Sequence, residues 1–226
     1  MNIAIIVAAG TGSRFAASQP KQFASILGKP IIIHTLERFE ACPAVDEIVL
    51  VLSVDGCNEF AKLGGHQGIK KLRMVATGGK TRAESVRNGF AKIDAETAII
   101  VAVHDGARPL VTVDEITRTI EKAAETGAAC LVAELTDTIK EIDGDAIIGT
   151  IDRRKLRRAL TPQAFRYDIL KATFANADLN EDITDECFLV EKLGFKIAAV
   201  EGCSRNIKIT RPEDLVIVEA MMSREE

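Results

Sequence analysis

Short apolar runs recur along the chain at Ile3 to Ala9, Glu47 to Ser53, Leu72 to Ala76, Ala98 to Val103, Ala129 to Ala133 and Lys196 to Val200. They have strand length and lack the polar alternation of a half-exposed sheet. Helical patterns separate most of them, over Pro30 to Cys42, Thr81 to Ile93, Val113 to Thr126 and Asp185 to Leu193. Thr81 and Glu84 have the spacing of a capping box at one helix start. Strands apolar on both faces and alternating with helices imply an α/β fold with a mostly parallel sheet covered on each side. Ligands of such sheets gather outside the carboxyl ends of the strands. Ala9-Gly10, Thr77-Gly78-Gly79 and Val103-His104-Asp105 lie at such ends.

At 226 residues the chain can bury a full core and is most simply one domain over 1–226. Its 29 basic and 33 acidic residues give a net charge of −4. That argues against a general nucleic-acid or membrane-surface role, while leaving room for a local basic pocket. The five cysteines, Cys42, Cys57, Cys130, Cys187 and Cys203, are scattered without a Cys-x-x-Cys pair. They read as reduced thiols of a cytoplasmic protein. Met1-Asn2 places no basic region before the first apolar run, so no secretory signal is expected, and no run approaches the roughly 20 residues that span a bilayer.

One stretch departs from the alternation. Thr138 to Ile151 reads as two short strands around Asp143-Gly144, a hairpin turn signal. In a wound α/β chain this reads as a protruding arm, inserted at about 136–160, and an arm needs a partner surface. The run Arg153-Arg154-Lys155-Leu156-Arg157-Arg158 follows the second strand. It reads first as a solvated helical face; without interleaved aromatics it is a weak nucleic-acid signal.

The end of the first strand is the densest in chemistry. Ala8-Ala9-Gly10-Thr11-Gly12-Ser13-Arg14 follows it, and Pro20-Lys21-Gln22 closes the segment. Gly10 and Gly12 allow a sharp turn whose N–H groups approach an anion, and Arg14 and Lys21 add two cations. A polyphosphate needs such a setting. A dinucleotide fingerprint, as an NAD-dependent oxidoreductase would carry, fits less well. Its third glycine falls at Phe15, and its acidic residue would need a second strand where Pro30 to Cys42 reads as helix. A purely structural strand-to-helix turn accounts for the glycines but not for the cations.

Asp105 ends another apolar run and is followed by Gly106-Ala107-Arg108-Pro109. An acid there can hold a ribose hydroxyl or a Mg²⁺ with phosphate oxygens, or it can simply cap a turn. His104 is far in sequence from His34 and His66, has no metal-ligand spacing, and reads as packing or hydrogen bonding. Gly78-Gly79-Lys80-Thr81-Arg82-x-x-Ser85 is a glycine turn opening a helix, where free N–H groups meet anions or base edges. Asn206-Ile207-Lys208-Ile209-Thr210 reads as a strand with Asn206, Lys208 and Thr210 on one face. That face is an outward polar edge or a lysine reaching for phosphate.

Together these segments resemble the 2-C-methyl-D-erythritol 4-phosphate cytidylyltransferase family. The matching motifs are Ala-Ala-Gly-Thr-Gly-Ser-Arg (8–14), Pro-Lys-Gln (20–22), Gly-Gly-x-x-Arg-x-x-Ser (78–85) and Val-His-Asp-Gly-Ala-Arg-Pro (103–109). Asp-Thr (137–138), Leu-Thr-Pro-Gln-Ala-Phe (160–165), Ile-Thr-Asp-Glu (183–186) and Asn-Ile-Lys-Ile-Thr-Arg-Pro-Glu-Asp-Leu (206–215) follow in the family's order. The resemblance implies a doubly wound, Rossmann-like nucleotidyltransferase sheet and transfer of CMP from CTP to methylerythritol phosphate, with release of pyrophosphate. It implies that Ala8, Ala9, Gly10, Gly12, Gly78, Gly79 and Ser85 surround the nucleotide. Arg14 and Lys21 would grip the triphosphate, and Asp105 would sit beside the ribose and Mg²⁺. Thr184, Arg108 and Lys208 would face the acceptor. An arm carrying Thr138, Arg153 and Thr161 would complete the neighbour's site in a homodimer.

Two positions depart from the family's pattern: Lys80 in the glycine turn and Arg205 before Asn206 both stand where an acid is expected. Ribitol 5-phosphate is the competing acceptor. A noncatalytic nucleotide-binding regulator on the same fold is the competing class, against which Arg14, Lys21, Asp105 and Lys208 argue.

Overall fold

The computed structural model describes residues 1–10, 15, 20–64, 68–178 and 183–224. In chain order its elements are β1 (Asn2–Ala8), β2 (Ser25–Ile26), β3 (Lys29–Pro30), α1 (Ile31–Glu40), β4 (Glu47–Leu52), α2 (Val54–Lys62), β5 (Leu72–Thr77), α3 (Arg82–Phe90), β6 (Ile100–Asp105), α4 (Val113–Thr126) and β7 (Ala128–Glu134). There follow β8 (Ile139–Asp143), β9 (Ala146–Ile151), β10 (Arg157–Arg166), α5 (Tyr167–Asn176), α6 (Glu186–Lys192), β11 (Ala198–Glu201) and α7 (Pro212–Met222).

Seven strands form the central sheet in the order β11-β7-β10-β6-β1-β4-β5. β1 pairs in parallel with both β4 and β6, β5 with β4, and β11 with β7. The chain leaves β1 toward β4 and β5, then returns to β6 on the other side of β1. A crevice therefore opens at the carboxyl ends of β1 and β6, where the winding reverses. The register sets Val7 level with Asp105.

The core explains why the strands read as unbroken apolar runs. Ile3 and Ile5 pack on one face with Val86, Phe90 and Phe165, while Ala4 and Ile6 pack on the other with Leu36, Phe39 and Ile120. Each large side chain so buried contributes about 1.5–3 kcal/mol relative to exposure. A third cluster, including Ile26, Leu110, Ile209, Val218 and Met222, ties α7 and the segment before it to the carboxyl end of the sheet.

The apolar pattern does not reveal β10 as a strand. It runs antiparallel between β6 and β7, and its pairing with β7 shifts between Ala159 and Gln163. Pro162 lies inside that shift, where the missing N–H breaks no regular ladder pair. Helices α2, α5 and α7 are likewise absent from the pattern. Asn206 to Thr210, expected as a strand, is not one: it is irregular chain held by Ile209 N–H donating to Ala107 O (2.9 Å). Asn206 is buried, and Thr210 donates through both its N–H and its hydroxyl to Asp214 at the start of α7.

The hairpin is as expected. β8 and β9 pair antiparallel around Gly144, whose φ of +55° is the left-handed conformation that glycine adopts without strain. It forms a separate two-stranded sheet. Thr161, assigned to this arm from the resemblance, instead lies in β10 within the central sheet.

Candidate active site

Where β1, β4, β5 and β6 end, a cleft of about 540 Å³ opens, and Ala8, Ala9, Gly10, Lys21, Gln22, Gly78, Gly79, Arg82, Ser85, Asp105 and Lys208 line it. Seven of the nucleotide positions expected from sequence (Ala8, Ala9, Gly10, Gly78, Gly79, Ser85 and Asp105) thus share one cavity with Lys21 and Lys208. Gly12 and Arg14 lie outside the described residues.

The second glycine turn is demanded by space. A Cβ on Gly78 would stand 2.3 Å from the Ala9 Cβ, and one on Gly79 would stand 2.4 Å from the Glu84 Cβ. Ser85 Oγ accepts from Gly79 N–H (3.0 Å) and donates to Thr81 O (2.8 Å), so it braces this turn from below. Only half of the anticipated capping box forms. Thr81 accepts from Glu84 N–H, but the Glu84 carboxylate accepts from Lys80 N–H (2.6 Å) instead of closing on Thr81. The departure at Lys80 therefore leaves its backbone holding the turn while its side chain is exposed at the cleft. The full capping box lies elsewhere, between Thr112 and Glu115 at the start of α4.

Asp105 is the electrostatic centre. Arg82 Nε stands 3.1 Å from its Oδ1, while Arg108 Nε (3.2 Å) and Lys208 Nζ (3.0 Å) both meet Oδ2. Burial pushes this carboxyl up, but Arg82, Lys208 and Arg108 outweigh it and hold it well below the ordinary carboxylate range. Arg82 also donates through Nη1 to both oxygens of Glu186 (2.7 and 2.8 Å). Glu186 is fully buried, and burial pushes its carboxyl up against the pull of Arg82. Burial opposes the charge on Arg82, yet Glu186 and Asp105 prevail and raise its pKa. Lys21 Nζ donates to Ile209 O (2.9 Å), which joins the first loop to the segment carrying Lys208.

His104 lies behind this centre. Its Nε2 faces Arg108 O (3.2 Å), and since a carbonyl only accepts, Nε2 carries the proton. Nδ1 then accepts from the Thr161 hydroxyl (3.0 Å), whose oxygen accepts from Asp105 N–H (3.1 Å). Burial lowers the His104 pKa to about 3, so the ring is neutral. The sequence reading of His104 as a hydrogen-bonding core residue holds, and Thr161 is its partner beneath Asp105.

The other residues expected at the acceptor are dispersed. Arg108 touches Asp105 and donates to Asn206 O (2.8 Å) from outside the cleft lining. Thr184 lines a second cavity of about 360 Å³ with Cys130, Arg157, Asp185 and Cys187. Thr138 and Arg153 are exposed on and beside the arm, where Arg153 donates to Thr136 O. Arg205 donates to Met221 O at the end of α7 (3.4 Å). Arg82 and Glu186 stand within the sequence motifs, but nothing in their local pattern gives either a role.

A doubly wound sheet, a tight glycine turn and a cationic cleft around one ionised aspartate define an enzyme of the nucleotidyltransferase class. The chain matches the family model of 2-C-methyl-D-erythritol 4-phosphate cytidylyltransferase over residues 2–224. It is 41% identical to the enzyme of that name from Bacillus velezensis over 99% of this chain and 96% of the relative. It is 40% identical to that of Syntrophus aciditrophicus, over 99% and 97%. The crystal structure of the Thermus thermophilus enzyme superposes with a TM-score of 0.79 at 30% identity, covering 99% of this chain and 100% of the other. The chain belongs to the 2-C-methyl-D-erythritol 4-phosphate cytidylyltransferase family. Its activity is CTP-dependent synthesis of 4-diphosphocytidyl-2-C-methyl-D-erythritol in the non-mevalonate isoprenoid route, and the ribitol phosphate reading is not favoured.

Proposed function

We propose that CTP lies across the Gly78-Gly79 turn and the end of β1 with its triphosphate toward Lys21 and Arg14, and that Lys208 and Arg108 draw the methylerythritol phosphate to the α-phosphorus. One observation carries this reading: Lys21, Arg82 and Lys208 line the same cleft as Asp105, while His104 is buried, neutral and engaged at both nitrogens. The acceptor needs no base, because a phosphate monoester has a second pKa of about 6 and is already ionised at neutral pH. The barrier lies in bringing two anions together and stabilising charge on a five-coordinate phosphorus. Positioned cations lower that barrier. Lys208 would leave Asp105 for the incoming phosphate, a better partner with nearly two charges.

Mg²⁺ prefers hard oxygen ligands and is commonly held by one or two carboxylates together with substrate phosphates. Asp105 is the only acid among the described residues lining the cleft, and no group of three His, Cys, Asp or Glu gathers among the described residues. That donor set fits Mg²⁺ arriving on the triphosphate, with Asp105 as the protein's ligand. When bound, Mg²⁺ would neutralise phosphate charge.

The arm supports a homodimer. Ile142, Ile147 and Ile148 are each 60% exposed or more, on a hairpin that makes its own small sheet. A second copy of the chain covering them would also bring Thr138 and Arg153 toward a neighbour's cleft. A cytoplasmic location is supported by five free cysteines. Among the described residues no helix is long and apolar enough to cross a membrane.

The test is pyrophosphate release by the purified protein with CTP and either acceptor, with Mg²⁺ titrated. Turnover with methylerythritol phosphate that rises with Mg²⁺ is expected. Turnover only with ribitol phosphate, or CTP binding without turnover on either, would overturn it.

A further inference from the structure

Glu186 poses an energetic question. It is 0% exposed and both of its carboxylate oxygens accept from the single nitrogen Nη1 of Arg82. A buried ion pair is weak support for stability, since well-packed apolar residues of similar volume serve as well or better. The pair is therefore better explained by what else Arg82 holds. Arg82 is the first residue of α3, immediately after the Gly78-Gly79 turn, and its Nε grips Asp105 Oδ1 at the end of β6. The guanidinium is a rigid planar fork, so fixing one nitrogen on Glu186 fixes the direction of the other.

We propose that Arg82 and Glu186 form a positioning pair that locks the Asp105 carboxylate relative to the glycine turn, so that nucleotide and acceptor meet in line. Glu186, at the start of α6, does not itself line the cleft and reaches it through Arg82. The bridge spans three elements, α6, α3 and β6, and joins the turn proposed to hold the base to the carboxylate proposed to face the ribose. This rests on the reading of Asp105 as a cleft residue that touches substrate. Misplacement of about 1 Å can cost 10²-fold in rate. Loss of the bridge should therefore appear in kcat more than in binding.

The decisive variant is the double replacement Arg82→Met with Glu186→Leu, which removes both charges and leaves neither partner of the pair unanswered. It should melt within a few degrees of the wild type and show kcat lowered about 100-fold, with KM for CTP changed less than about threefold. Arg82→Lys should fail to rescue kcat, since an ammonium cannot present two fixed, divergent donors. Activity within about threefold of wild type in the double variant would overturn the proposal. So would a large rise in KM for CTP at unchanged kcat, which would make Arg82 a ground-state binding residue. Asp105→Asn separates the two readings. An inactive Asp105→Asn beside a fully active double variant refutes the pair alone, whereas a fully active Asp105→Asn refutes the role given to Asp105 itself.

Discussion

The cleft and the arm are opposites in how they use their side chains. In the cleft, charge is answered by charge from remote parts of the chain: Arg82, Lys208 and Glu186 come from three separate stretches and join Asp105 and Arg108. On the arm, Ile142, Ile147 and Ile148 face outward from a hairpin that buries almost nothing, and no described residue covers them. The two regions complete their structure in different places. The cleft is electrostatically organised within one chain and waits for small anions. The arm's apolar surface would be satisfied by another macromolecular surface, for which a second copy of this chain is the proposed source.

The largest expected effect concerns acid. His104 is neutral in the fold, with its pKa lowered to about 3 from 6.5. As pH falls below 6.5 the unfolded chain takes up a proton that the folded chain refuses, so stability declines until about pH 3. The full loss approaches about 5 kcal/mol at 1.36 kcal/mol per pKa unit. Glu186, raised above its ordinary 4.5, works the other way, losing stability as pH rises through its folded pKa. Asp105 adds its own loss only as pH falls below 3.8. Urea melts between about pH 7 and 5 should therefore show the His104 slope, and His104→Gln should flatten it. An unchanged slope would break the contrast by showing the cleft to be no more acid-sensitive than the rest.

Next comes Lys21→Ala, expected to lower kcat at least a hundredfold, or about 2.7–4 kcal/mol of barrier. Steady-state kinetics with CTP and methylerythritol phosphate measures it, and near-normal turnover would refute the role of Lys21. On the arm, Ile147→Lys should weaken self-association at least tenfold, because burying one isoleucine is worth about 1.5–3 kcal/mol. Sedimentation across a concentration series reads this directly; an unchanged distribution would leave the arm without its partner. The smallest change is Thr112→Ala, at the start of α4 and outside the lining of the cleft. Losing the cap that accepts from Glu115 N–H should cost about 1 kcal/mol in thermal or urea melts and leave kcat untouched.

Much of this architecture is readable from local pattern. Strand positions follow from apolar runs because a strand buried on both faces needs no long-range information to look apolar. The ends of β1, β5 and β6 are found in the same way, and with them Ala8, Gly78, Gly79 and Asp105. β10 escapes because Pro162 argues against a strand unless a shift in register absorbs it. Lys208 reaches the cleft for a different reason than its pattern suggests. It is carried by irregular chain pinned through Ile209, not by the face of a strand. Thr161 is assigned to the arm by the resemblance, yet β10 has already entered the sheet at that point.

The chain's own pattern determined the sheet type, the glycine turns and which strand ends would carry chemistry, because periodicity, turn preference and capping act over a few residues. Folding in three dimensions brings Arg82, Arg108, Lys208 and Glu186 together around Asp105 and sets Thr161 and His104 behind it. Those contacts link residues as many as 104 positions apart. Coulombic and hydrogen-bond partners are chosen by distance in space, and that distance is set by the order in which the strands are laid side by side.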